Sequence, residues 1–278
     1  MANTKNEYYE EERIAWALAQ RAGKEIKKIY HQGNVDVEIK SDGTPVTNAD
    51  KLANEIIVEG LRRNFPKDSI VSEELASIPG IGKEWYVDPI DGTKGFKNRT
   101  GQFAIHIGLA ENKKPVMGIV YKPLTGEYYS AIVGKGAYRS NSFGTKLLKV
   151  RQETFDKDKI DLIVGRSFAA EEPSRSLYDI INPQSLIVSG SAGLRIVKIA
   201  EGIANVHITD GGNKYNTWDL CAPHIIAKEA GAYVADLNGN PMEYLGQRNL
   251  GKELVVANTR ELGEYVAQMA KKIYAVKN

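Results

Sequence analysis

The sequence predicts an α/β protein, and three features of its patterning support that fold class. Two amphipathic helices are expected near the N-terminus, short β-rich segments follow in the middle, and strands alternate with helices in the second half. A chain of 278 residues is long enough to bury a substantial core. We expect an α+β half over residues 1–150 and an α/β half over residues 151–278, connected by the charged passage from Lys149 to Lys159.

Two helices are predicted at the start of the chain. The first runs from Glu7 to Tyr30 with its large apolar residues near one face, and Gly33 closes it. The second begins after Thr47, whose spacing to Asp50 is that of a capping box. Asp50 is therefore open to two interpretations, as a structural cap of this helix or as a functional acid.

The later elements are predicted from shorter patterns. The middle of the chain indicates an antiparallel meander with strands at 103–109, 116–121 and 128–132. In the second half, strands are predicted at 161–165, 186–188, 206–209, 232–235 and 254–257, and helices at 194–202, 218–230 and 261–276. Such alternation is typical of an α/β layer.

Composition and charge exclude several classes of function. A formal net charge of +2 leaves no broad electrostatic surface for nucleic acid or an anionic membrane. No apolar run approaches the roughly 20 residues of a membrane span, and the polar N-terminus is unlike a signal peptide, so we expect a cytoplasmic protein. Because Cys221 is the single cysteine and the four histidines lack metal-type spacing, a metal site would consist of Asp and Glu, which select hard cations.

A short apolar strand that runs into two carboxylates is the central motif of the chain. It reads Trp85-Tyr86-Val87-Asp88-Pro89-Ile90-Asp91-Gly92-Thr93. Pro89 biases Asp88 toward an extended conformation, so the acids are expected to leave the strand end on a constrained turn. Carboxylates beside the amides of Gly92 and Thr93 suggest a metal-bridged phosphate, whereas a polar turn with an Asx cap is the simpler alternative.

Two further acidic motifs accompany it, Glu73-Glu74 after an apolar strand and Trp218-Asp219 at the start of a helix. With these motifs in this order, residues 40–232 resemble the inositol monophosphatase family of Mg²⁺-dependent, lithium-sensitive phosphomonoesterases. The resemblance implies a layered α/β/α/β/α sandwich of the inositol monophosphatase and fructose-1,6-bisphosphatase type, with the site between the two halves. It also implies a small phosphomonoester substrate and, as in many relatives, a homodimer.

The resemblance assigns metal ligands residue by residue. It implies two or three Mg²⁺ ions per site, for which Mn²⁺ can substitute. The ligands implied for the first ion are Glu73, Asp88 and the carbonyl of Ile90, and those for the second are Asp88, Asp91 and Asp219. Glu73 is preferred over Glu74 as the inner ligand.

The resemblance also implies catalytic roles. The hydroxyl of Thr93, linked to Asp50, would orient and help to deprotonate the attacking water, while Glu73 holds that water in place. The amides of Gly92 and Thr93 would bind the phosphate. This route is general base catalysis assisted by metal rather than a covalent mechanism.

A second class of phosphatases has a related motif. Haloacid-dehalogenase-like enzymes use a D-x-D-G-T sequence whose first Asp attacks phosphorus. Here Asp88 and Asp91 are three residues apart, not two, and the motif follows two predicted helices rather than the first strand. The sequence therefore argues against this class.

Substrate contacts are predicted where a strand runs into a helix at Gly190-Ser191-Ala192. In the family the matching segment contacts the alcohol part of the substrate, and the resemblance implies that Asp219 contacts the substrate as well. The alternative for the segment is an ordinary helix N-cap. Arg195 matches a position where nucleotide-cleaving members carry a lysine, and its guanidinium suits a second phosphate.

Several departures from the inositol-specific pattern favour a nucleotide substrate. Thr209 stands where inositol enzymes carry a glutamate, and the loop over residues 210–217 is longer than theirs and adds Lys214 and Tyr215. The sequence Asp-Gly-Thr-Lys-Gly-Phe over residues 91–96 resembles the 3′(2′),5′-bisphosphate nucleotidase branch of the family. We therefore expect hydrolysis of 3′-phosphoadenosine 5′-phosphate to AMP. The alternatives are an inositol or sugar monophosphatase and a non-catalytic, metal- or nucleotide-binding regulatory relative.

Overall fold

The computed structural model describes residues 7–33, 36–39, 45–166, 168, 172–209 and 215–274. The helices are α1 (Tyr9–Gln32), α2 (Asn48–Asn64), α3 (Thr93–Lys97), α4 (Ser174–Ile181), α5 (Ala192–Ala200), α6 (Thr217–Glu229) and α7 (Arg260–Tyr274). The strands are β1 (Val37–Ile39), β2 (Pro45–Thr47), β3 (Ser69–Ser72), β4 (Glu84–Asp91), β5 (Ala104–Glu111), β6 (Lys114–Lys122), β7 (Glu127–Ile132), β8 (Ala137–Asn141), β9 (Gly144–Leu147), β10 (Asp161–Val164), β11 (Ser185–Val188), β12 (Val206–Ile208), β13 (Tyr233–Asp236) and β14 (Leu254–Ala257).

The elements form five layers in which helices and sheets alternate. Helices α1 and α2 pack on one face of a seven-stranded sheet of order β3-β4-β5-β6-β7-β8-β9. Helices α5 and α6 lie between this sheet and a five-stranded sheet of order β11-β10-β12-β14-β13. Helices α4 and α7 cover the outer face of the smaller sheet. The α/β/α/β/α sandwich implied by the sequence is confirmed.

Strand β4 lies between two hydrophobic cores, which makes it a rigid support for the residues at its end. Trp85 is buried in the core beneath α1 and α2, and its neighbour Tyr86 is buried in the core formed with α5 and α6. Successive side chains of a strand point to opposite faces of the sheet, so both faces of β4 are covered. Each large apolar side chain buried in this way contributes about 1.5–3 kcal/mol to folding.

The two N-terminal helices agree with the sequence prediction. Helix α1 buries Ile14, Leu18 and Ile26 and ends at Gly33, whose φ of 78° suits a residue without a side chain. Helix α2 begins with the predicted capping box, in which Thr47 and Asp50 each bond to the backbone of the other. Within the described ranges, no helix is both long and apolar enough to cross a membrane.

Some elements were not predicted. The hairpin of β8 and β9 extends the meander by two strands, but β9 is exposed along its whole length and therefore lacks an alternating apolar pattern. The short helix α4 also lay outside the prediction. The passage from Lys149 to Lys159 contains no helix or strand, as expected, although folding of residues 1–150 and 151–278 as separate halves stays a prediction.

Candidate active site

Two neighbouring strand ends bring the first acids together. Strands β3 and β4 are parallel, with Ser72 opposite Val87, and the Glu73 amide donates to the Val87 carbonyl at 3.1 Å. The prediction that β4 ends before the acids was wrong, because the strand continues to Asp91 with a register shift after Asp88. In a regular strand, residues three apart face opposite sides, whereas a bulge changes this alternation. The shift therefore allows both carboxylates to face the same site.

Four carboxylates from distant parts of the chain form what we call the acidic centre: Glu73, Asp88, Asp91 and Asp219. Asp88, Asp91 and Asp219 each place an oxygen within 4.8 Å of the others. The Glu73 carboxylate is near enough to raise the pKa of Asp88 and of Asp219. Asp219 is held at the start of α6, where its Oδ2 accepts a 2.8 Å hydrogen bond from the Asn216 amide.

Burial and mutual repulsion shift the titration of these acids. Burial, followed by the charges of Glu73 and Asp91, raises the pKa of Asp88 well above its usual range. Burial and the same two charges raise the pKa of Asp219 to about 8, against the lowering effect of the Asn216 amide. Divalent cations would relieve this repulsion, and carboxylate oxygens are the ligands that Mg²⁺ and Mn²⁺ prefer. The donor set therefore fits a hard metal ion.

Asp91 also connects the acidic centre to helix α5. Its Oδ2 accepts hydrogen bonds from the Ser191 hydroxyl and from the Gly193 amide at 2.8 Å, and it lies 3.2 Å from Nε2 of the fully buried His106. A Cβ atom at residue 193 would lie 2.1 Å from that Nε2, so the close approach of α5 requires glycine. Sequence reasoning did not identify His106, because a lone histidine within a strand carries no recognisable metal-site spacing.

The residues after the second acid form a tight turn around Thr93. Gly92, with φ of 95°, precedes α3, and a Cβ atom there would lie 2.6 Å from the Gln102 carbonyl. The Thr93 hydroxyl lies 3.2 Å from the Ile90 carbonyl and 3.4 Å from Oδ1 of Asp50. The hydroxyl is thus placed between a predicted metal-binding carbonyl and a buried acid.

The two interpretations of Asp50 use different oxygens of one carboxylate. Its Oδ2 accepts a 2.8 Å hydrogen bond from the Thr47 amide, which confirms the helix cap. Its Oδ1 faces the Thr93 hydroxyl, which is the contact expected of a functional acid. Asp50 is fully buried, so the cap fixes its orientation toward Thr93. The catalytic role of this pair stays a prediction.

A cavity of about 260 Å³ opens beside the acidic centre. It is lined by Lys94, Gly95, Gly165, Arg166, Phe168, Gly190, Arg195, His207, Ile208 and Tyr215. We call it the cationic cavity, because its described lining contains three basic side chains and no carboxylate. Gly190 precedes Ser191, whose hydroxyl donates to Asp91, so one rim of this cavity adjoins the acidic centre.

A chain of hydrogen bonds holds Arg195 in the wall of the cavity. Its Nη1 donates to the Ser189 carbonyl at 2.8 Å, and its Nη2 donates to the Tyr215 hydroxyl at 2.7 Å. The same hydroxyl lies 2.8 Å from Nε2 of His207, whose Nδ1 lies 2.7 Å from the Ile163 carbonyl. Burial, together with the charge of Arg195, lowers the pKa of His207 to about 3, so this ring is neutral.

Arg166 lies beside Gly190 in the lining of the cavity, and sequence reasoning missed it. Its Nη2 donates to the Thr100 hydroxyl at 3.1 Å and to Oε1 of Gln102 at 2.8 Å. Oε1 of Gln102 also accepts from the Gly190 amide at 3.1 Å. The guanidinium is therefore oriented by the loop that follows α3.

The remaining predicted substrate residues lie where the acidic centre meets the cavity. Ser191 is the N-cap of α5 and accepts from the Leu194 amide at 3.1 Å, while its hydroxyl donates to Asp91. Ala192 is the first residue of that helix and is buried. Lys214, predicted beside Tyr215, lies outside the described residues. The structure thus brings the predicted residues to one region, and their contacts with substrate stay predictions.

Comparison with known sequences identifies relatives along almost the whole chain. Residues 8–275 match the Inositol monophosphatase family. A 3′(2′),5′-bisphosphate nucleotidase CysQ from Aggregatibacter actinomycetemcomitans is 34% identical over 232 residues, which cover 82% of this chain and 84% of that protein. The protein of the same name from Escherichia coli K12 is 36% identical over 234 residues, which cover 82% of this chain and 91% of that protein.

Solved structures have the same architecture. The extragenic suppressor protein suhB from Bartonella henselae superposes with a TM-score of 0.80 at 23% identity, covering 94% of this chain and 98% of that one. Inositol monophosphatase II from Staphylococcus aureus superposes with a TM-score of 0.78 at 26% identity, covering 95% and 94%. The chain therefore belongs to the inositol monophosphatase family of metal-dependent phosphomonoester hydrolases.

Proposed function

We propose that this enzyme is a Mg²⁺-dependent 3′(2′),5′-bisphosphate nucleotidase that releases the 3′-phosphate of 3′-phosphoadenosine 5′-phosphate and leaves AMP. The observation that carries the proposal is the cationic cavity beside the acidic centre. A monophosphate needs one anion-binding region, whereas a bisphosphate needs a second, and three basic side chains supply it here. The names of the relatives from A. actinomycetemcomitans and E. coli agree with this substrate.

The acidic centre is the proposed metal site. Glu73, Asp88, Asp91, Asp219 and the carbonyl of Ile90 would hold two or three Mg²⁺ ions, with Mn²⁺ as a substitute. Metal ions bound there would neutralise the phosphate, lower the pKa of water and stabilise the departing oxygen. The first three of these carboxylates belong to residues 1–150 and the last to residues 151–278, so we place the site between the two proposed halves.

Thr93 and Asp50 are the proposed proton-transfer pair. The Thr93 hydroxyl would accept the proton of the attacking water as its own proton moves toward Asp50, whose Oδ1 lies 3.4 Å away. The amides of Gly92 and Thr93 would donate to the phosphate oxygens. Because the helix cap and burial fix Asp50, the pair is oriented before substrate binds.

The second phosphate would bind in the cationic cavity. Arg166 and Lys94 present positive charge at its rim, and Arg195 adds a permanent charge from its wall. Tyr215 supplies an aromatic face, which suits a nucleoside better than a polyol. The segment of Gly190 and Ser191, between β11 and α5, would position the sugar between the two phosphates.

An inositol monophosphatase is the second candidate, because a related Staphylococcus structure at 25% identity and a TM-score of 0.78 was solved with inositol monophosphate bound. Thr209 argues against it. Where inositol enzymes would present a glutamate to the ring hydroxyls, Thr209 is buried, and its hydroxyl accepts from the Leu254 amide at 3.0 Å. The side chain is used within the sheet and is absent from the described lining of the cavity.

Competing substrates test the proposal directly. Phosphate release with Mg²⁺ should be at least about tenfold faster in kcat/KM from 3′-phosphoadenosine 5′-phosphate than from inositol 1-phosphate, a difference of about 1.4 kcal/mol. Adenosine 3′-phosphate, which lacks the second phosphate, should lie between them. Equal or reversed rates would contradict the assignment to the nucleotidase branch.

A further inference from the structure

The guanidinium of Arg248 contacts both the turn that carries Glu73 and the start of the helix that carries Asp219. Arg248 lies in the irregular segment between β13 and β14 and was not singled out from the sequence. Its Nη1 donates to the Ser72 carbonyl at 2.8 Å and to the Leu75 carbonyl at 2.7 Å, and its Nη2 donates to the Glu73 carbonyl at 2.9 Å. The turn that carries Glu73 is therefore held by the Arg248 side chain through three backbone carbonyls.

The same guanidinium reaches the start of α6. Its central carbon lies 4.4 Å from the centre of the Trp218 ring, which is close enough for a cation–π contact. Trp218 directly precedes Asp219 in the chain and is buried. The Arg248 guanidinium thus contacts the backbone of Glu73 and the side chain of Trp218, the neighbour of Asp219.

The backbone of Arg248 strengthens this connection. Its carbonyl accepts from the Thr217 amide at 2.9 Å, and the Gln247 carbonyl accepts from the Thr217 hydroxyl at 2.8 Å. The Leu250 amide donates to the Tyr215 carbonyl at 3.1 Å. Residues 247–250 therefore hold the first turn of α6 through the backbone, while the Arg248 side chain holds the turn after β3.

We infer that Arg248 is a positioning residue that fixes Glu73 relative to Asp219 so that the acidic centre can bind divalent metal. The inference rests on the proposed metal site. Carboxylates that repel one another separate unless the surrounding structure prevents it, and β3 and α6 belong to different layers of the fold. A guanidinium with several donors in one plane can satisfy three carbonyls and stack on an indole, which an ammonium group cannot do.

Metal affinity, measured without substrate, tests this role. Arg248→Lys should weaken Mn²⁺ binding by about tenfold or more in titration calorimetry, the range found when residues that support metal ligands are replaced. Arg248→Gln should show a similar loss. Arg260→Lys is the matched control, because the Arg260 guanidinium also lies over an aromatic ring, 5.1 Å from the centre of Tyr233. The Mn²⁺ affinity of this variant should stay within about twofold of wild type.

Other outcomes would overturn the inference. Unchanged Mn²⁺ affinity in folded Arg248→Lys and Arg248→Gln proteins would do so, even if their melting temperatures fell, because the residue would then be structural only. Full affinity in Arg248→Lys with a loss in Arg248→Gln would also overturn it, because positive charge alone, without the planar group that contacts three carbonyls, would then be sufficient. If Arg248→Lys does not fold, the Gln variant decides by the same affinity criterion. A wild type that binds Mn²⁺ but does not cleave the nucleotide would contradict the proposed function and leave this test intact.

Discussion

The acidic centre and the cationic cavity lie side by side but are built in opposite ways. The carboxylates sit at the ends of packed strands and at a helix start, where backbone amides orient Asp91 and Asp219. The basic side chains of the cavity come from two helices and a loop, and neighbouring side chains help to orient them: Gln102 accepts from Arg166, and Tyr215 accepts from Arg195. This difference suggests that the acidic centre determines whether the reaction occurs and the cavity determines which substrate is preferred.

The largest expected effect comes from Asp91→Asn, which removes a charge from the acidic centre. Turnover should fall by at least about a thousandfold, because a bound metal stabilises the transition state by several kcal/mol. The metal-free protein should melt at the same or a higher temperature, since repulsion with Asp88 is relieved and the variant can still accept from Gly193. Steady-state kinetics and thermal unfolding of the same preparations provide the measurement, with Asp179→Asn on the exposed surface of α4 as the control. Normal turnover in the Asp91 variant would show that Asp91 is not a ligand.

Loss of the Thr93 hydroxyl should have a smaller effect and leave metal binding intact. Thr93→Ala should lower kcat by about a hundredfold, as expected when a general acid–base group is removed, whereas Thr93→Ser should retain most activity. Mn²⁺ affinity should change little in either variant, because the hydroxyl lies against Asp50, outside the acidic centre, and against the Ile90 carbonyl, a backbone ligand that both variants retain. If the alanine variant loses metal affinity in proportion to its activity, Thr93 supports the metal and takes no part in proton transfer.

The sequence predicted the acidic centre well, because its chemistry is concentrated in short motifs. Asp88 and Asp91 lie in the last four residues of β4, and Asp219 lies in the first turn of α6, so short motifs and the family resemblance were sufficient to identify them. Even here one feature was beyond prediction. The bulge that lets Asp88 and Asp91 face one site depends on pairing with β5, which the sequence of β4 does not encode by itself.

The cationic cavity was predicted less completely for the same physical reason. Arg195 was predicted because it matches a position where nucleotide-cleaving family members carry a lysine, but Arg166 and His207 enter the cavity only after loops and layers have assembled. Arg248 is a further case, since its partners Glu73 and Trp218 lie far away in sequence. Neither a lone arginine in a loop nor a histidine in a strand has a local pattern that distinguishes it.

Replacing Arg166 tests whether the cavity sets substrate preference. Arg166→Gln should raise KM for 3′-phosphoadenosine 5′-phosphate about tenfold and leave kcat nearly unchanged, because it removes binding that substrate and transition state share. Kinetics with adenosine 3′-phosphate should change much less, since that substrate lacks the second phosphate. Arg62→Gln, in the last turn of α2, is the control for a loss of positive charge. Equal effects on both nucleotides would contradict the placement of the second phosphate.

The smallest effect expected is a difference in how the two regions respond to pH. Asp219 has its pKa raised to about 8 and keeps its proton in the folded protein up to that pH, whereas the unfolded chain releases the proton near pH 4. The stability of the metal-free protein should therefore fall as the pH rises from about 4 to about 8. The contribution of His207 to stability changes with pH in the opposite direction. With its pKa lowered to about 3, it stays neutral when the unfolded chain takes up a proton near pH 6.5, so its contribution to stability rises from about pH 3 to about pH 6.5.

Above about pH 6.5 the histidine contribution is constant, and the slope that remains there reports the acidic centre. His224, whose pKa burial also lowers to about 3, adds to the rise at lower pH and not in this window. The melting temperature of the metal-free protein should therefore decrease between about pH 6.5 and pH 8, and Mg²⁺ should remove the decrease because it favours the ionised carboxylates. Asp219→Asn should reduce the decrease in the same window without metal, and the part that remains reports Asp88, whose pKa is also raised. If the wild-type melting temperature does not change between about pH 6.5 and pH 8, Asp219 is already ionised before metal binds. Burial and repulsion would then raise the pKa of Asp219 less than this prediction requires.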